Sequence, residues 1–275
     1  MTVNYVTMKK NTEKDGADMK ITALTENTSE NDLECEHGLS LFIETERHTV
    51  LFDMGQSELF AVNAEKLGLD LKKVDIAVLS HGHYDHGGGL RKFLDINDRA
   101  KVYMSRYAFE PHYNGTEKYI GLDVGLKNRS QFVYTDGVTE IEDGLTLHSC
   151  NARRKVVDLS SFGLNGVENG EFVPDDFRHE QYLLIEEDGK RVLISGCSHK
   201  GINNIMAWFN PHVLVGGFHF SKLPTDDKLR RLAEELDRYD TDYYTCHCTG
   251  VEQYQYMMQY MHRLHYLSTG KTIEI

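Results

Sequence analysis

Three histidines and a carboxylate crowd the stretch Ser80-His81-Gly82-His83-Tyr84-Asp85-His86-Gly87-Gly88-Gly89. Neutral imidazoles and carboxylates are ligands for Zn²⁺ and similar first-row ions. The stretch follows an apolar run, Val74 to Leu79, whose β-branched residues read as a buried strand. Glycines flank it, so a tight loop is expected rather than a helix. In an extended loop, His81 and His83 point to one side while Asp85 and His86 reach to the other. One loop could then serve two ions. A solvated turn with chance histidines would seldom place four ligand-type residues so densely behind a strand.

Other residues enter through a resemblance. His-x-His-x-Asp-His behind a hydrophobic strand resembles the signature of the metallo-β-lactamase superfamily, and the likeness extends over nearly the whole chain. Asp53-Met54-Gly55 resembles the aspartate-containing strand end that precedes the signature there. Gly196-Cys197-Ser198-His199, Gly216-Gly217-Phe218-His219 and His247-Cys248-Thr249-Gly250 resemble a narrower subgroup. That subgroup is named after the archaeal dihydropterin ribofuranosylaminobenzene-phosphate synthase, and most of its bacterial members are labelled metal-dependent hydrolases.

The resemblance implies an α/β fold, a four-layer αββα sandwich, around a metal centre of one or two ions. Zinc is the expected metal, with iron or manganese as alternatives. It implies His81, His83 and His179 on one ion, and Asp85, His86 and His247 on the other. Cys197 stands where many members carry a bridging aspartate. A thiolate binds zinc well but bridges less readily, so either Cys197 or the neighbouring His199 could serve, with His199 otherwise in a supporting role. Asp53 is implied to hold the ligand loop by hydrogen bonds. His219, at a strand end, could act as a general acid, a substrate contact or an extra ligand. Cys246 and Cys248 alternate with His247 along an extended backbone and read as packing residues.

The chemistry implied is hydrolysis by a metal-activated hydroxide, with Asp85 binding metal and orienting the nucleophile and His219 protonating the leaving group. The expected substrate is an ester, phosphoester or similar bond of a small cytosolic metabolite. The subgroup's name implies another reaction, condensation of a pyrophosphate-activated pterin with an aminobenzene ribosyl phosphate. A non-catalytic metal-binding role is a third class. Diiron flavoprotein relatives carry Glu at the second signature position, whereas this chain has His83.

The chain has 275 residues, enough for one large core. Strands are expected at 20–26, 39–44, 49–53, 74–80, 101–105, 132–135, 138–141 and 145–149. Residues 107–127 show no periodicity, and 151–178 read as a long loop of a functional kind. Strands 181–187 and 191–195 form a hairpin around Asp188-Gly189. Strands 212–217, 242–245 and 272–275 follow. Helices are expected at 57–67, 89–94, 201–209, 226–239 and 251–262. Residues 1–18 are charged and aperiodic, and read as a disordered extension before a single domain at 19–275, with Met19 a candidate start.

Formal charge is −13. Such a surface repels phosphate backbones and argues against a nucleic-acid substrate. No apolar run approaches the roughly 20 residues of a membrane helix, and the N-terminus has no apolar secretory core. Five cysteines without disulfide-like spacing suit reduced thiols or metal ligands, so a cytoplasmic protein is expected. Against the acidic background, Arg153-Arg154-Lys155 is either a solvated loop or an anion site for a phosphate or carboxylate on a small substrate.

Overall fold

The computed structural model describes residues 19–275; the extension at 1–18 lies outside the described residues. Two seven-stranded sheets pack face to face. The first runs, in spatial order, Thr272–Glu274, Lys20–Thr25, Ser40–Glu44, Thr49–Phe52, Ile76–Val78, Lys101–Ser105 and Phe132–Thr135. The second runs Leu264–Tyr266, Asp242–Thr245, Val213–Gly216, Lys190–Ile194, Tyr182–Glu187, Leu145–His148 and Val138–Glu142. Each sheet is antiparallel in one half and parallel in the other.

Strand alternation explains the layering. Val50 and Phe52 face the second sheet, in one cluster with Leu183, Ile194 and Val215. Leu51, between them, faces outward onto Phe60 and Phe93 of the helices Leu59–Lys66 and Leu90–Ile96. On the other side, Leu193 and Leu214 meet Ile205, Leu229 and Met257 from the helices Ile202–Phe209, Asp227–Leu236 and Val251–Met257. Helix, sheet, sheet, helix is the αββα sandwich. Phe52, Phe60 and Leu193 are fully buried, each stabilising by about 1.5–3 kcal/mol relative to exposure. Helix Asp227–Leu236 starts at a capping aspartate, Asp226, whose carboxylate accepts from the backbone N–H groups of Lys228 and Leu229.

Three local expectations change. The signature is not loop throughout. His83, in extended backbone, precedes a one-turn helix at Tyr84–Gly87, so Asp85 and His86 are placed by helical geometry rather than by alternation. The stretches read as irregular pair with each other: Glu171–Pro174, Leu164–Glu168, His112–Asn114 and Lys118–Tyr119 form a small antiparallel sheet over the site. These strands are short, and the pairing that joins the two local hairpins, His112–Asn114 with Leu164–Glu168, links positions about fifty apart, so no local period betrays the sheet. The last expected helix stops at Met257, residues 258–262 turn, and an edge strand not expected from the sequence follows at Leu264–Tyr266.

Candidate metal centre

The candidate residues collect at the carboxyl ends of parallel strands, where open α/β sheets bind ligands. Asp53 follows Thr49–Phe52 and the signature follows Ile76–Val78. Cys197 and His199 follow Lys190–Ile194, His219 follows Val213–Gly216, and His247 follows Asp242–Thr245. Asp53, Ser198, His219 and His247 have φ of 60°, 59°, 56° and 49°. The left-handed region is costly for such residues, and clusters of it mark functional sites.

Hydrogen bonds fix which imidazole nitrogens stay free. Asp53 accepts from the Ser80 N–H at 2.7 Å, the Ser80 hydroxyl at 2.7 Å and His86 Nδ1 at 2.7 Å. The Ser80 Oγ, its proton given to Asp53, accepts from His81 Nδ1 at 2.8 Å. Asn27 Oδ1, oriented by the Gly38 N–H, accepts from His247 Nδ1 at 2.8 Å. His81, His86 and His247 therefore each carry the proton on Nδ1 and direct a lone pair from Nε2.

Those lone pairs converge. His86 Nε2 and His247 Nε2 are 3.2 Å apart, and Cys197 Sγ is 3.3 Å from His86 Nε2. Asp85 Oδ2 lies 3.5 Å from His247 Nε2 and 3.9 Å from His86 Nε2. A tetrahedral ion with bonds of about 2.0–2.3 Å sets neighbouring ligand atoms roughly 3.3–3.8 Å apart. Two lone pairs facing each other repel unless a cation lies between them, so this donor set fits a metal ion. Burial raises the Cys197 thiol well above its usual range, and metal coordination is the ordinary means of deprotonating such a group. The Asp85 carboxyl is held well below its range: burial opposes this, but the partner imidazoles His86, His247 and His37 outweigh it.

A second donor set adjoins the first. Ligand atoms of His81, His83 and His199 lie within 4.8 Å of one another, as do those of His81, His86 and Cys197. The Nε2 atoms of His81 and His83 are buried without a partner. Burial, then the neighbouring imidazoles, push the pKa of both well below the ordinary histidine value, which keeps them neutral and able to coordinate. His199 Nδ1 is buried facing Glu180 Oε2 at 3.5 Å, close enough for the carboxylate to favour a proton on that nitrogen but without a hydrogen bond between them. Lys200 fixes this loop: its ammonium donates to Asn151 Oδ1 at 2.7 Å and to the Glu180 carbonyl at 2.9 Å.

His179, expected on the first ion, is arranged differently. Its Nδ1 accepts from the Gly82 N–H at 2.9 Å, which obliges Nε2 to carry the proton; Nε2 faces Asp175 Oδ2 at 3.3 Å. Both nitrogens are engaged. Arg153, Arg154 and Lys155 lie on the surface away from the site. Arg153 donates to the Trp208 carbonyl at 2.8 Å and stacks on Phe209, while the Arg154 carbonyl accepts from the Trp208 indole. A cavity of about 150 Å³ opens over the metal donors, lined by Asp85, Cys197, His199, His219 and His247 and rimmed by Asn114, Lys118, Ser221 and Lys222. His219 rests against the His199 ring at 4.5 Å with its Nδ1 buried and unpaired. Burial, then His199, lower its pKa.

Several participants carried no signal in the sequence. His37 Nε2 lies 3.2 Å from Asp85 Oδ2, and Asn27 and Glu180 orient ligands from distant segments. Cys248, read as packing, lines the cavity, because a 3₁₀ turn at His247–Thr249 ends the alternation that would have turned it away. Cys246 does pack in the core between the sheets.

Comparison with known proteins follows from this geometry. The sequence model described as Metallo-beta-lactamase superfamily matches residues 33–239. An uncharacterized protein of Methanocaldococcus jannaschii is 29% identical over 265 residues, 93% of this chain and 100% of its own length. The 7,8-dihydropterin-6-methyl-4-(beta-D-ribofuranosyl)-aminobenzene-5'-phosphate synthase of the same organism is 26% identical over 264 residues, covering 87% of this chain and 90% of its own. The crystal structure of Tm1679, described as a metal-dependent hydrolase of the beta-lactamase superfamily, superposes with a TM-score of 0.79 at 30% identity, over 94% of this chain and 99% of that one. YhfI from Bacillus subtilis, a metallo-beta-lactamase fold protein, shares the fold at a TM-score of 0.60 and 12% identity, over 94% and 100%.

Proposed function

The chain belongs to the metallo-β-lactamase superfamily, and from that premise we propose that it is a two-metal hydrolase acting on a small anionic substrate. The observation that carries this is the convergence of the His86 and His247 lone pairs with Asp85 and Cys197, beside the unpaired nitrogens of His81 and His83. In this reading His81, His83 and His199 hold one ion, and Asp85, His86, Cys197 and His247 hold the other. Zinc suits this mixture of imidazole, thiolate and carboxylate, with iron or manganese as alternatives. When bound, such a pair supplies Lewis acidity to the scissile bond and lowers the pKa of water toward neutrality.

The chain's own groups do the rest. Asp85 keeps one oxygen toward the donor set and within reach of His37, where it can orient the attacking water. His219 reaches the cavity from the end of Val213–Gly216 and can deliver a proton to the leaving group. Lys118 and Lys222 sit at the rim, and among the described residues neither is paired with a carboxylate. Lys118 donates to Tyr84 Oη at 3.3 Å, which leaves ammonium protons free. In a protein of charge −13, two such lysines beside a metal pair favour a phosphate or carboxylate, and they take the place that sequence reading gave to Arg153, Arg154 and Lys155. Among the described residues no helix is long and apolar enough to cross a membrane.

The test pairs anionic with neutral substrates. Removing metal should abolish hydrolysis of both a phosphodiester and an uncharged ester. Lys118→Ala with Lys222→Ala should raise KM for the phosphodiester roughly 10-fold or more, the effect of losing hydrogen bonds to a charged group, while leaving the ester's KM unchanged. Turnover that survives metal removal, or equal effects on both substrates, would contradict the reading. The synthase-named relative supports a second reading, condensation with loss of pyrophosphate. Pyrophosphate release that requires an aromatic amine would favour it over hydrolysis.

A further inference from the structure

Gly82 lies between the two signature histidines, His81 and His83. Its backbone is held from behind. A Cβ at Gly82 would lie 2.3 Å from the Ala108 carbonyl oxygen and 2.9 Å from His112 Nε2, so only glycine fits. Its N–H donates to His179 Nδ1 at 2.9 Å. His112 and His179 stack, ring centroids 3.9 Å apart, and share one carboxylate oxygen: Asp175 Oδ2 is 3.0 Å from His112 Nδ1 and 3.3 Å from His179 Nε2. All three side chains are buried. None lies in the donor sets assigned above.

The tautomers follow from the donors. A backbone N–H can only donate, so His179 Nδ1 is unprotonated and Nε2–H points to Asp175. Asp175 also receives the His112 Nδ1 proton, leaving His112 Nε2 as a buried lone pair without a partner. The His83 ring stands edge-on to the His112 ring at 5.5 Å, and its own Nε2 is also buried and unpaired. A cation among His83, His112, Asp175 and His179, whose ligand atoms lie within 4.8 Å of one another, would require His179 to give up either the Gly82 bond or its one ring proton.

We propose that His112, Asp175 and His179 form a positioning clamp on Gly82 that sets the ligand geometry of His81 and His83. The clamp rests on the two-ion reading given above. Asp175 fixes the protonation of both imidazoles; His179 fixes the peptide between the ligands; His112 seals the back of that peptide, its Nε2 against Gly82. Supporting groups of this kind commonly change metal affinity 10–100-fold.

The experiment exploits a difference between a ligand and a positioning residue. Asparagine places Oδ1 close to where His179 has Nδ1, so His179→Asn keeps the acceptor for Gly82 but offers no imidazole. Metal stoichiometry and affinity are measured by chelator competition for the parent, His179→Asn, His179→Leu, Asp175→Asn and His199→Ala, with thermal unfolding of each metal-free protein as the check on folding. The clamp predicts two ions in the parent and in His179→Asn with similar affinity. It predicts a first-site affinity 10–100-fold weaker in His179→Leu and Asp175→Asn, with the other site unchanged. If His179→Asn loses one ion as completely as His199→Ala, His179 is a ligand and the proposal falls. It also falls if His179→Leu keeps full affinity, or if the parent binds a third ion that Asp175→Asn removes. A parent without metal would overturn the two-ion reading itself, and the clamp with it.

Discussion

Replacing Asp53 with alanine should lower the stability of the protein by roughly 3–5 kcal/mol, because it strands three buried donors at once. The Ser80 N–H, the Ser80 hydroxyl and His86 Nδ1 all end on this carboxylate, which has no exposed surface. In a domain of this size such a loss corresponds to a fall in Tm on the order of 10 °C. Metal affinity should fall as well, by about 10–100-fold, since the carboxylate fixes the tautomer of His86 directly and that of His81 through Ser80. Asp53→Asn should be milder. Asparagine tolerates the left-handed backbone found here, with φ of 60°, and keeps one acceptor for the Ser80 N–H. Thermal unfolding and chelator competition on both variants check this. An alanine variant within about 2 °C of the parent, binding metal equally well, would show that the serine and histidine find other partners.

His219→Ala should lower kcat by roughly 10²–10⁴-fold while both ions stay bound, the usual cost of losing a general acid. The side chain lines the cavity beside His199, with Nδ1 buried and unpaired. Nothing in the protein claims that nitrogen, so a leaving group can. The loss should shrink for a nitrophenolate leaving group, which departs without a proton. Equal losses with good and poor leaving groups would assign His219 to substrate positioning. Loss of one metal equivalent would make it a ligand, a role its proximity to Cys197 and His199 permits.

The strands and helices were legible from their periods, whereas the sandwich they build was implied by the resemblance that the signature carries. Val50, Leu51 and Phe52 face in, out and in as their period requires. The signature was legible for a different reason: its ligands lie within six residues, so spacing alone carries the message. What stayed hidden is whatever the fold brings from afar. His112 and Asp175 are 63 positions apart and meet because His112–Asn114 pairs with Leu164–Glu168, which in turn pairs with Glu171–Pro174. Lys118 and Lys222 reach the same rim from positions about a hundred residues apart. His179 stands at a ligand's place in the family resemblance; its Nδ1 accepts from the Gly82 N–H, a contact that no sequence pattern encodes. His199 gains its case from the same level of detail, through the Glu180 carboxylate behind its Nδ1.

The most direct test of the account is elemental analysis of protein purified without chelators, run beside His199→Ala. The account predicts two transition-metal ions per chain in the parent and one in the variant, with the remaining ion held by Asp85, His86, Cys197 and His247. A parent free of metal, or a His199→Ala variant that keeps both ions, would contradict it.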